Sequence, residues 1–200
     1  MRAFSFRALA FVIALFVVVL SAACPKESAV SPAVSHKAAS GTDIGPVEAP
    51  PPVPPAIPGA MGEVFDAYDR IQIALAKDTL ESLPAVASAL VDATTRAMAG
   101  VFAAHKGPLS EVGTAAGKLR DTLTAAEPQI DAVRLVFGDV SKALIALAGT
   151  DPTLQTGRFL FQCPMAPGYQ RWVQTNAALR NPYFGKKMLE CGEAVSTWGV

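Results

Sequence analysis

Ile130-Asp131-Ala132-Val133-Arg134-Leu135-Val136-Phe137-Gly138-Asp139-Val140-Ser141-Lys142-Ala143-Leu144-Ile145-Ala146-Leu147-Ala148-Gly149 is the stretch from which the fold is read. Ile130, Val133, Phe137, Val140, Leu144 and Leu147 recur at intervals of three and four, which places them on one face of a helix. Glu127-Pro128 precedes the stripe and Gly149-Thr150-Asp151-Pro152 closes it, both of them stop signals for a helix. A helix with a single apolar face has to bury that face against other elements.

Upstream, three more stripes supply the partners. Leu109, Val112, Ala116, Leu119 and Leu123 form one, and Leu83, Val86, Leu90, Ala97 and Val101 another. His105-Lys106-Gly107-Pro108 separates them, with Gly as a C-cap and Pro as a stop. His105 is expected beside that helix end, where the dipole favours its charged form. Val64, Tyr68, Ile71 and Leu75 give the first stripe. Asp78-Thr79-Leu80-Glu81 has the pattern of a capping box opening the second helix. Short connections make consecutive helices antiparallel neighbours. The expected fold is therefore mostly α: an antiparallel up-down four-helix bundle over residues 61–150. The stripes are read as core, since no inward Glu-x-x-His pair suggests a metal inside the bundle.

Downstream of Pro152 the helical period stops. Arg158 to Gln162 reads as a short strand and Tyr169 to Thr175 as its hairpin partner, around a Cys163-to-Gly168 turn. Asn181-Pro182 opens another turn. Tyr183 to Cys191 is expected to include a helical turn with Met188 and Cys191 on one face, ended by Gly192. Residues 151–200 thus form a small C-terminal lobe, one domain with the bundle.

The N-terminal part has a different character. Arg2 and Arg7 precede an apolar run, Ala8 to Leu20, too short for the roughly 20 residues of a spanning helix and suited to a secretory signal over 1–23. Ser21-Ala22-Ala23-Cys24 resembles a lipobox. By that likeness Cys24 is lipidated and becomes the mature N-terminus, and the protein faces the periplasm from a bacterial membrane, the outer one expected. Several acyl chains on one residue anchor stably. Residues 24–60, rich in Pro, Ala and Ser, read as an extended tether. His36 lies there alone and reads as a linker residue. A PxxP peptide-ligand role for the proline run is the weaker alternative.

The formal net charge is zero and 17 % of residues are charged, which argues against nucleic acid as partner, because phosphate contacts need a basic face. No Cys-x-x-Cys, phosphate loop or metalloprotease helix occurs, so no enzyme activity is expected.

The chemistry-bearing residues lie in the lobe. Cys163 and Met165 are two apart; Met188 and Cys191 are three apart. Thiolate and thioether are soft donors that select copper(I) over hard cations. A zinc site would want histidine, and none is near. Trp172 reads as core, with a cation–π place over the ion as the alternative. The competing reading is a Cys163–Cys191 disulfide, usual for two cysteines in an oxidising compartment and stabilising by about 3 kcal/mol for a loop of this length.

The pattern Cys163-Pro164-Met165-Ala166, Trp172, Asn181-Pro182-Tyr183-Phe184-Gly185, Met188-Leu189, Cys191-Gly192-Glu193 resembles a bacterial domain-of-unknown-function family, number three-three-four-seven. The resemblance covers about residues 62 to 193, loosely in the bundle. Members often accompany periplasmic adaptors of copper and silver efflux pumps. The resemblance implies Cys163, Met165, Met188 and Cys191 as ligands for copper(I) or silver(I), and metal-efflux components as partners. The chain lacks an adaptor region, so a free-standing tethered metal binder or buffer fits better. A structural or protein-interaction lipoprotein is the alternative.

Overall fold

The computed structural model describes residues 57–199. The expected leader, Cys24 and nearly all of the expected tether lie outside them. Four helices follow in order: α1 (Gly59–Ala76), α2 (Leu83–Met98), α3 (Ala103–Leu123) and α4 (Ile130–Gly149). Each buries the stripe its sequence carries. Val64, Tyr68, Ile71 and Leu75 of α1 are fully enclosed, as are Val133, Phe137, Val140, Leu144 and Leu147 of α4. Each such side chain contributes about 1.5–3 kcal/mol by leaving water. Among the described residues no helix is long and apolar enough to cross a membrane.

α1 packs on α2, α2 on α3 and α3 on α4, in the up-down order that the short connections impose. The backbones of α1 and α4 do not pack closely along their length. That fourth seam is filled from the lobe. Three short strands, β1 (Phe159–Gln162), β2 (Arg171–Gln174) and β3 (Glu193–Val195), form an antiparallel sheet in the order β2-β1-β3. β1 pairs Phe161 with Trp172 and Leu160 with Val173 on one side, and Phe161 with Ala194 on the other. β2 lies against α1 and α4. Tyr68 stacks on Phe137 across the seam at 5.2 Å between ring centres. The Tyr68 hydroxyl meets Ser141 Oγ at 2.8 Å and accepts the Val173 amide at 3.2 Å. A sheet-edge amide and two helices thus share one buried hydroxyl, and burial pushes the Tyr68 phenol well above its ordinary pKa. Bundle and lobe consequently share one core.

Several local expectations are corrected. Asp78 does not cap α2: it sits at φ 59 after the end of α1, and α2 starts at Leu83 with no side-chain cap. Its carboxylate is taken by Arg134 and the Lys186 amide instead. α2 ends at Met98, which leaves Val101 in the connection. His105-Lys106-Gly107-Pro108 lies inside the start of α3. A proline early in a helix removes only one interior bond, so its stop signal loses to the burial of Leu109 and Val112. His105 therefore stands at the first turn of α3, with Nε2 3.9 Å from Asp151 Oδ2. β2 begins at Arg171 rather than Tyr169. A 3-10 turn over Pro152–Gln155 and the strand β3 had no sequence signal.

Candidate functional site

The chemistry-bearing end of the lobe is closed by an asparagine. Asn181 is fully buried. Its Oδ1 accepts the amides of Tyr183 (2.8 Å) and Phe184 (3.3 Å), as an Asn before a turn is suited to do. Its Nδ2 donates to the Cys191 carbonyl at 2.8 Å, and its own amide donates to the Leu189 carbonyl at 2.7 Å. One side chain thereby closes the 181–191 loop on itself and fixes the backbone of Cys191. Arg134 holds the same loop from α4, donating from Nε to the Pro182 carbonyl at 3.0 Å.

The second arm comes from the end of β1. The Cys163 amide donates to the Gln170 carbonyl at 2.9 Å, and the Cys163 carbonyl accepts the Ala166 amide at 3.0 Å, which makes the Cys-Pro-Met-Ala segment a tight turn. β3 brings the chain after Cys191 alongside β1. The two arms meet: Cys163 Sγ lies 3.5 Å from Cys191 Sγ. Cys163 is fully buried and Cys191 half-buried. Both are free thiols, well beyond the 2.05 Å of a disulfide bond. The hydrogen bond with Cys163, helped by burial, raises the Cys191 thiol above its usual pKa. Such a thiol is a poor nucleophile at neutral pH.

The methionines are placed differently. Met165, on the turn after Cys163, is 63 % exposed and extends into solvent. Met188 is half-buried and ends a 3-10 turn, Gly185–Met188, rather than a helical face shared with Cys191. The Cys191 amide bonds the Met188 carbonyl at 3.1 Å, so the two remain one turn apart. Trp172 is enclosed, its Nε1 donating to Gln174 Oε1 at 3.0 Å, with the rings of Phe161 and Tyr183 against it at 5.7 and 5.8 Å. It is core, and it crowds the residue after Cys191: a Cβ on Gly192 would stand 3.0 Å from the Trp172 ring and 2.9 Å from the Gln162 carbonyl.

Among the described residues no group of three or more His, Cys, Asp or Glu gathers as a metal cage. What the fold assembles is a pair of thiols, one sealed and one reachable from outside. Asn181, Arg134 and Gln174 are the supporting residues that sequence reasoning missed. Asn181 alone had a local signal, the Asn-Pro pair. The fold and site define a class: a four-helix bundle whose open seam is plugged by a small sheet carrying two apposed cysteines. No family model, no curated protein and no solved structure matches the chain.

Proposed function

We propose that the chain is a tethered protein of the bacterial envelope that binds copper(I) or silver(I) at the Cys163–Cys191 thiol pair, in metal buffering or in support of efflux. The observation that carries this reading is the 3.5 Å approach of two thiols from segments 28 residues apart. Soft monovalent ions accept few ligands and favour sulfur. Binding converts both thiols to thiolates and releases two protons, which the raised pKa of Cys191 makes pH-dependent. Met188, one turn from Cys191, and Met165, free to turn inward from its exposed loop, are the further donors. Lipidated Cys24 supplies the membrane tether. The resemblance of the Cys-Pro-Met and Asn-Pro-Tyr-Phe-Gly segments to family three-three-four-seven supports the same direction.

A second reading has its own support. The same 3.5 Å approach would let an oxidant of the envelope, taking two electrons and two protons, join the sulfurs in a disulfide, which would staple β1 to the 181–191 loop as a structural or interaction lipoprotein requires. The two part in a competition titration of the reduced chain with copper(I) against a chelator. The metal reading expects one ion per chain, lost in Cys163→Ser and in Cys191→Ser and weakened about tenfold or more in Met188→Ala. Tight binding that survives removal of both thiols, or no binding to the reduced parent, would overturn it.

A further inference from the structure

A cavity of about 450 Å³ opens between the C-terminal end of α1, the loop after β2 and the 180–189 segment. That size is usual for a small-molecule site. Its floor is apolar: Ile73, Ala76 and Leu189 line it, and Ile73 is 44 % exposed although it is a large aliphatic residue. Three cations stand around it: Lys77, Arg180 and Lys186.

The structural duties at these three positions fall on main-chain atoms. The Arg180 carbonyl accepts Gln72 Nε2 at 2.6 Å, the Lys186 amide donates to Asp78 Oδ2 at 3.0 Å, and the Lys77 amide caps α1 on the Ile73 and Ala74 carbonyls. Their charged ends are left over. Among the described residues Lys77 and Lys186 form no ion pair, and Arg180 has a long contact, 3.7 Å, with an exposed Glu190. The Asp78 carboxylate, which feels the Lys186 charge, is already held by Arg134 and the Lys186 amide. The Gln174 side chain at the back of the cavity is spent too: it serves Trp172 Nε1, the Arg180 amide and the carbonyls of Asn176 and Ala178. The lining thus offers an apolar floor with three cations around it, against which, among the described residues, only the Glu190 and Asp78 carboxylates stand.

We propose that this cavity binds a small amphiphilic carboxylate, an aliphatic body on the Ile73–Leu189 floor with its anionic head among Lys77, Arg180 and Lys186. The site is separate from the thiol pair and does not depend on what that pair binds.

The test is calorimetric titration of the full chain with octanoate, alongside octanol, acetate and octyltrimethylammonium. The expected result is that octanoate binds about tenfold or more tighter than each control, a margin that three solvent-exposed ion pairs can supply. The Lys77→Gln/Arg180→Gln/Lys186→Gln variant, which leaves every main-chain bond in place and should keep the parent melting temperature, is expected to lose that preference. Ile73→Asp should abolish binding. Octanol binding as well as octanoate, acetate binding equally, no octanoate binding, or an unchanged triple variant would each overturn the proposal.

Discussion

Arg134 is buried in the seam between α1 and α4 because oxygen atoms surround its guanidinium. It donates to the carbonyls of Leu75 (3.2 Å) and Pro182 (3.0 Å) and pairs with the Asp78 carboxylate. Burial raises the Asp78 carboxyl, but the Lys186 amide and Arg134 outweigh it and hold the group below its usual range. The stability this gives is present above the unfolded pKa, near 4, and is lost as pH falls through the lower folded value. Removing one partner of such a pair strands the others, so Arg134→Met should destabilise the fold by about 3 kcal/mol in denaturant melts. Asp69 is the opposite case. Burial raises its carboxyl to about 7, Arg158 only partly offsetting it and Asp66 adding to it. The folded state therefore holds a proton that the unfolded chain has released, and stability falls as pH rises from about 4 to 7. Asp69→Asn should flatten that part of the pH–stability curve and stabilise the protein at pH 8, on the order of 2 kcal/mol; a curve that keeps the parent slope would contradict the assignment.

At the scale of elements, the helices were legible because burial has a period. The stripe from Val133 to Leu147 and its three companions are enclosed where the 3.6 repeat puts them, Val101 beyond the end of α2 excepted. Ends were less legible, since an end depends on distant partners. Asp78-Thr79-Leu80-Glu81 has a capping pattern, yet Asp78 is claimed by Arg134, 56 positions away. The hairpin was visible in the aromatic run at 159–161; β3, with only Val195 half-buried, carried no alternation to read. The 3-10 turn over Gly185–Met188 shows why a glycine sits at its start. Gly185 has φ 56, and a Cβ there would fall on Asp78 Oδ1 and against the Arg134 guanidinium. Gly185→Ala should therefore loosen the 181–191 segment. Hydrogen exchange is expected to quicken at position 185 and at Cys191, with amides in α2 and α3 unchanged; parent-like protection at both would contradict this role for the glycine.

Across the whole molecule, the bundle is left open on one side and the lobe completes it. Trp172, Tyr183, Tyr68 and Phe137 form a continuous run of rings from the sheet into the seam. The lobe is in this way joined to the helices through one core, which carries its two cysteines. The sequence spacing suggested that Cys163 and Cys191 could meet, but not that one would be sealed and the other reachable. Nor did spacing show Met165 turned outward, because a loop side chain has no periodicity to betray its direction. The expected leader, Cys24 and most of the expected tether lie outside the described residues, and their reading stays with the sequence. The central claim is that the pair works as two thiols. Its most direct test is to trap and count the free thiols of Cys163 and Cys191 in chain taken from its native envelope, after acid quench and metal removal. The account predicts that both are alkylated; finding neither alkylated, with the mass of a Cys163–Cys191 disulfide, would contradict it.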